Sequence, residues 1–269
     1  MYKVHVDFDR EVNIKRRIRD NLHTTIKDYE KRPGVKTTFG TPIISYVNAK
    51  HPLFRLFMEE DRSLHPKGIY RPGNTVIVFF LPYSPEIARS NRGGEDPSPE
   101  WTAAFHDSMH LAMELNRVIG DTLDEVGRLH SPANTPMDWN LKTQREEWSH
   151  KLAAYTAGMG RFGIAGSFHT EMGFAGRVGC VFTDYDYAPL KEEELARVDL
   201  ANTIDYIDHD SKYLGAKDVT VSRKAIDSCP AGAITKEGIH KEKCQDRCLQ
   251  INPHIPSPEV CGKCFFYDV

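Results

Sequence analysis

Asn74-Thr75-Val76-Ile77-Val78-Phe79-Phe80-Leu81 is an almost unbroken run of β-branched and aromatic residues, closed by Pro82. With no polar residue at alternate positions it cannot present one face to water, so it reads as a strand covered on both faces. Residues 177–183 (RVGCVFT) repeat the pattern and read as a second buried strand. Helical patterns surround this pair. Residues 11–31 suit an exposed amphipathic helix ending before Pro33-Gly34. Residues 42–47 suit a short strand and 51–57 a helical turn. Ser98-Pro99-Glu100 opens a long helix over 99–128, with a serine cap and proline in the first turn. A further helix is expected over about 141–157, acidic helices over 191–210, and a helical run over 219–228. The fold class is mixed α/β, with a small cysteine-rich module after about residue 215.

The chain has 269 residues, 40% hydrophobic and 27% charged, an ordinary globular composition long enough for one large domain or a domain plus a small module. Its net charge of −3 gives no electrostatic support for a nucleic-acid binder. The amino-terminal residues have no apolar core between their charges, so they do not read as a secretory signal. The longest apolar stretch, 76–82, is far short of the roughly 20 residues that span a bilayer. These readings point to a cytoplasmic protein with no membrane partner.

Of six cysteines, Cys180 stands alone, and Cys229, Cys244, Cys248, Cys261 and Cys264 are clustered. Without an export signal, such a cluster points to metal rather than disulfides. Cys229-Pro230 has the form that ends a bacterial ferredoxin motif, and Cys261-Gly262-Lys263-Cys264 supplies a paired turn. The small residues after Cys229 let backbone amides approach cluster sulfur. Cys244 is the natural fourth ligand, with Cys248 as its rival. Zinc held by Cys244, Cys248, Cys261 and Cys264 is the competing reading, and it leaves Cys229-Pro230 unexplained.

Residues 158–179 are rich in glycine. Gly158-Met159-Gly160-Arg161-Phe162-Gly163 matches a dinucleotide fingerprint, but a helix precedes it and a loop is expected from Phe162 onward, the reverse of what that fingerprint needs. Gly158 reads instead as a left-handed helix cap, and the glycines as a close backbone approach, either to a flat ligand or within a tightly packed turn.

The segments 147–163, 173–184, 229–234 and 261–264, in that order, resemble the epoxyqueuosine reductase and reductive dehalogenase superfamily. The resemblance covers roughly residues 70–269. It implies a nitroreductase-like α/β domain over 1–215, with 1–70 poorly placed, and a ferredoxin-like [4Fe-4S] module over 216–269. It further implies base-off cobalamin lying against Gly158, Gly160, Arg161, Phe162 and Gly163, with Gly176 and Arg177 in the same pocket. Cys229, Cys244, Cys261 and Cys264 match the ligands of the cluster nearer the cobalamin. The family's second cluster and its carboxy-terminal repeat domain have no counterpart here, and Gln144 falls near the position of its acidic proton donor. The expected activity is therefore a cobalamin-dependent iron–sulfur reductase acting on a small molecule. Its electrons would come from an external donor such as ferredoxin or flavodoxin. The catalytic candidates are His150, Tyr155 and Tyr83. An electron-transfer or corrinoid-handling protein and a flavin-dependent reductase remain as alternatives.

Overall fold

The computed structural model describes residues 2–59, 63–133, 147–163, 166–188, 190, 221–236, 238–254 and 257–267. Its centre is strand β2 (Thr75–Pro82), every residue of which is buried. β1 (Ile43–Asn48) pairs with one edge of β2, and β6 (Gly176–Thr183) with the other. β3 (His130–Pro132) then pairs with β6. All three pairings are antiparallel. An antiparallel sheet often leaves one face wet; this one is sandwiched, as the apolar run required. Ile77, Phe79, Leu81 and Val181 face one layer of core, while Val76, Val78, Phe80, Cys180 and Phe182 face the other.

The first layer is formed by α1 (Tyr2–Glu30) and α5 (Pro99–Asp124). Ile14, Ile18, Leu22 and Ile26 recur every fourth residue and so line one stripe of α1. That stripe packs against Leu111, Leu115, Ile119 and Leu123 of α5. The helix expected to be exposed is thus amphipathic but half-buried, and it belongs to the core. Ser98 caps α5 by accepting the amide of Trp101 at 3.0 Å. The second layer is formed by α2 (Pro52–Glu59) and α6 (His150–Thr156), with Phe54 and Trp148 stacked at 5.9 Å. Short helices α3 (Pro66–Ile69) and α4 (Pro85–Ser90) flank β2.

Two expectations change in the glycine-rich centre. The helix expected from about 141 is seen from His150, with Ser149 as its cap; residues 141–146, like the acidic stretch 191–210 and Gln144, lie outside the described residues. Residues from Phe162 onward are not simply loop. β4 (Gly160–Phe162) and β5 (Phe168–Thr170) form an antiparallel hairpin. Its sequence lacks a two-residue turn signature, which is why pattern reading passes over it.

The cysteine module consists of α7 (Arg223–Ser228), α8 (Lys241–Ile251), α9 (Pro258–Cys261) and a 3₁₀ turn, Lys263–Tyr267. It packs onto the first layer through Phe265, which joins the main core. Among the described residues, no helix is long and apolar enough to cross a membrane.

Candidate functional site

Five thiols line one cavity. Cys229 follows the last turn of α7 in an extended conformation, the geometry favoured ahead of Pro230. The chain then turns back through Gly232, at φ +57°, so that the Ala233 amide donates to Cys229 Sγ at 3.3 Å. This is the amide-to-sulfur contact that the small residues after Cys229 were expected to permit. Cys244 and Cys248 lie one helical turn apart on α8, hence on one face. Cys261 ends α9, Gly262 reverses the chain at φ +61°, and Cys264 follows in the 3₁₀ turn. All five, with Pro230, Ile234, Arg247 and Lys263, surround the same space. None forms a disulfide.

The electrostatics of this cavity disfavour free thiolates crowded together. Burial pushes the Cys261 thiol up. Hydrogen bonding to Cys244, followed by burial, pushes Cys248 far up, and the same bond holds Cys244 down. Burial draws the Lys263 ammonium below its ordinary value, with Cys261 and Asp96 opposing that pull. Four thiolates can coexist at such a place only beside compensating positive charge, which bound metal supplies. Among the described residues, no three His, Cys, Asp or Glu side chains are gathered tightly enough to hold a single metal ion.

A second cavity is joined to the first through the chain. It is walled by Phe80, Trp101, Phe168, Phe174 and Phe265, with Tyr83, Lys151 and Glu259 as its polar groups. Chain adjacency links the two cavities, since Glu259 lies two residues before Cys261 and Phe265 follows Cys264. Lys151 Nζ bridges Glu259 Oε1 at 2.9 Å and the Gly166 carbonyl at 2.8 Å. Arg177 Nη1 stands 3.7 Å from Glu259 Oε2, and its Nε donates to Ser108 Oγ at 3.0 Å. Burial alone would raise the Glu259 carboxyl; Lys151 and Arg177 outweigh it and hold the group below the usual carboxylate range. Tyr83 and Ser108 are 2.9 Å apart, and Ser108 donates its one proton to the Phe105 carbonyl, so Tyr83 is the donor to Ser108. Burial raises the Tyr83 phenol and outweighs Arg177 and Ser108, which pull it down, so it stays protonated.

Of the three catalytic candidates, Tyr83 lines this cavity. His150 opens α6 and adds to the positive field at Glu259. Tyr155 packs against the Phe162 ring at 5.8 Å. The residues expected to hold a corrinoid are largely engaged by the protein itself. Gly158 is the left-handed helix cap, at φ +70°. A Cβ on Gly160 would meet the His169 carbonyl oxygen at 2.0 Å, and one on Gly176 would meet the Leu81 oxygen and the Phe80 ring at 2.5 Å. The Phe162 ring is in the core against Phe168, the Gly163 amide bonds the Ser167 carbonyl, and Arg161 is exposed on the hairpin. Tight packing thus accounts for Gly160 and Gly176, and the left-handed backbone for Gly158. Arg177 lies in the Tyr83–Ser108–Glu259 network rather than against a described ligand seat. Ser108, Lys151 and Glu259 were not singled out from sequence. Lys151 sits beside His150 and Glu259 just before Cys261, but nothing in their spacing shows that they pair.

No protein-family model matches the chain, and no curated protein matches its sequence. Among solved structures, the chain is similar in fold to epoxyqueuosine reductases. The structure of that enzyme from Streptococcus thermophilus is 15% identical with a TM-score of 0.50, covering 92% of this chain and 65% of that one. The enzyme from Bacillus subtilis is 16% identical with a TM-score of 0.48, covering 91% and 64%. A third structure, of an epoxyqueuosine reductase with a modified tRNA stem loop, is 15% identical with a TM-score of 0.49, covering 92% and 63%. The chain therefore spans slightly less than two-thirds of the length of these structures.

Proposed function

We propose that the chain is an iron–sulfur oxidoreductase. Cys229, Cys244, Cys261 and Cys264 would hold one [4Fe-4S] cluster, and a small-molecule substrate would be reduced at the cavity beside Tyr83. The observation that carries this reading is the convergence of five thiols on one space, with a backbone amide already directed at Cys229 Sγ. Such amide-to-sulfur contacts are among the levers by which proteins tune clusters. The cluster, when bound, supplies electrons one at a time; these would come from an external donor such as ferredoxin or flavodoxin. The chain's own residues do the rest. The aromatic walls close tightly and exclude water, Lys151 and Arg177 keep Glu259 ionised, and Tyr83 holds a proton, donated to Ser108, that would pass to a substrate once those walls part to admit it. The fold likeness to epoxyqueuosine reductases agrees with a reductase.

Cobalamin, which the sequence resemblance implies, would lie against the backbone of Gly158 and Gly160 beside the exposed Arg161. Packing fills the Cβ side of Gly160 and Gly176, so a corrin would have to meet these glycines by their other face.

The deciding experiment is anaerobic reconstitution with iron and sulfide, followed by titration with cob(II)alamin. Four irons per chain and a thiolate-to-iron absorption are expected. A colourless, zinc-loaded protein would defeat the proposal. A base-off corrinoid spectrum would establish cobalamin as a second cofactor. Reduction of a partner protein in place of any added small molecule would instead favour an electron-transfer role.

A further inference from the structure

The polar loop from Ser90 to Pro99 takes no part in the chemistry above, yet two cations of the cysteine module are anchored on it. Lys263 stands between Cys261 and Cys264 and is 2% exposed. Its ammonium donates to the carbonyls of Asn91 at 3.0 Å and Gly93 at 2.5 Å. Arg247 lies between Cys244 and Cys248, and its Nη2 donates to the Glu95 carbonyl at 3.0 Å and to Asp96 Oδ1 at 2.5 Å. Both side chains line the five-thiol cavity. The loop is itself fixed: Asn91, fully buried, accepts the Ser98 amide and donates Nδ2 to the Cys261 carbonyl at 2.9 Å.

A latch alone would not require charge. A neutral amide could bridge two carbonyls without the cost of burying an ammonium, which reaches several kcal/mol. Carbonyl dipoles solvate the Lys263 charge but do not cancel it, and the one carboxylate in contact among the described residues, Asp96, bonds Arg247 and is 81% exposed. A net positive charge therefore remains against the thiols.

We propose that Lys263 and Arg247 are positioning residues, anchored by the Asn91–Asp96 loop, that hold positive charge against the cluster and raise its reduction potential. This rests on the cluster reading given above. Reduction adds one electron, hence one negative charge, to the cluster, so a neighbouring cation favours the reduced state.

The test is a redox titration of the reconstituted full chain, monitored by electron paramagnetic resonance, alongside iron analysis. Lys263→Met is expected to keep its iron and to titrate at a more negative midpoint potential than the wild type. Arg247→Gln is expected to shift the same way but less, because Asp96 already offsets part of that charge. Where Lys263→Met loses iron, Lys263→Arg and Arg247→Gln decide: retention of the wild-type potential in the first and a negative shift in the second support the proposal. Full iron with unchanged potential in Arg247→Gln and in any iron-loaded charge-neutral Lys263 variant overturns it. A wild-type chain that takes up no iron overturns it together with the cluster itself, a result distinct from an unchanged potential.

Discussion

The indole Nε1–H of Trp101 donates to the main-chain carbonyl of Glu259 at 2.9 Å. The same ring fills the space beside Gly262, where an added Cβ would stand 2.3 Å from Trp101 Cζ2. One residue at the start of α5 thus fixes both the main chain at Glu259 and the turn between two cluster cysteines. Trp101→Phe removes the hydrogen bond and keeps most of the packing, and should cost about 1 kcal/mol. Trp101→Ala should cost about 3–5 kcal/mol and lower the iron bound per chain. Chemical denaturation and iron analysis check both; full iron in Trp101→Ala would show that the contact is not what shapes the turn.

Tyr83→Phe deletes a hydroxyl whose acceptor, Ser108, keeps Arg177 and the Phe105 carbonyl as partners. The expected stability loss is therefore small, about 0.5–1.5 kcal/mol. If the phenol supplies a proton to the reduced substrate, turnover should fall by about 10²-fold or more, with substrate affinity little changed. The pH dependence follows from the raised phenol. Its folded value lies above the ordinary 10.0. Its contribution to stability is therefore complete below pH 10 and is lost as pH rises toward and through the folded value. Denaturation midpoints measured across that range should fall more steeply for the wild type than for Tyr83→Phe.

Gly160→Ala should destabilise the protein whether or not any cofactor is present. Its Cβ would be driven into the His169 carbonyl, 2.0 Å away, in the pairing that defines the β4–β5 hairpin. Overpacking of this kind costs about 1–3 kcal/mol. Gly158→Ala meets no neighbour within 4 Å and pays only for its left-handed backbone, about 1–2 kcal/mol. Thermal denaturation in the absence of cofactors separates this from a role in ligand binding: an unperturbed Gly160→Ala would reopen the loop as a ligand cradle.

How far this was legible in sequence depends on whether a signal was local. The run from Val76 to Leu81 announces a strand without a wet face, and Ser98-Pro99-Glu100 announces a helix start; both stand where expected. Clustered thiols likewise announce their convergence, because ligand spacing is itself a sequence pattern. The hairpin over 160–170 was not legible, since its strands are three residues long and their pairing is a tertiary fact. Nor could the Lys151–Glu259–Arg177 network be read, because its members come from α6, α9 and β6. Glycine spacing suggested a ligand cradle, and spacing alone does not reveal that the chain itself fills the Cβ side of Gly160 and Gly176.

Five thiols for four ligand positions leave one assignment to decide, and single replacements decide it. Cys248 is 1% exposed and bonded to Cys244. Cys244, half-buried on the same face of α8, aligns with the ligand that the sequence resemblance implies. Cys248→Ala should therefore keep its iron, whereas Cys244→Ala, Cys261→Ala and Cys264→Ala should lose it. Iron retained in Cys244→Ala and lost in Cys248→Ala would exchange the two. Cys229→Ala is the sharper test, because it separates the two metals. A zinc site would use Cys244, Cys248, Cys261 and Cys264 and would be indifferent to position 229. A cluster that relies on Cys229, whose sulfur already accepts the Ala233 amide, should be lost with it. Cys180, buried in the second core layer away from the module, serves as the control: Cys180→Ala should lower stability modestly and leave the metal content untouched.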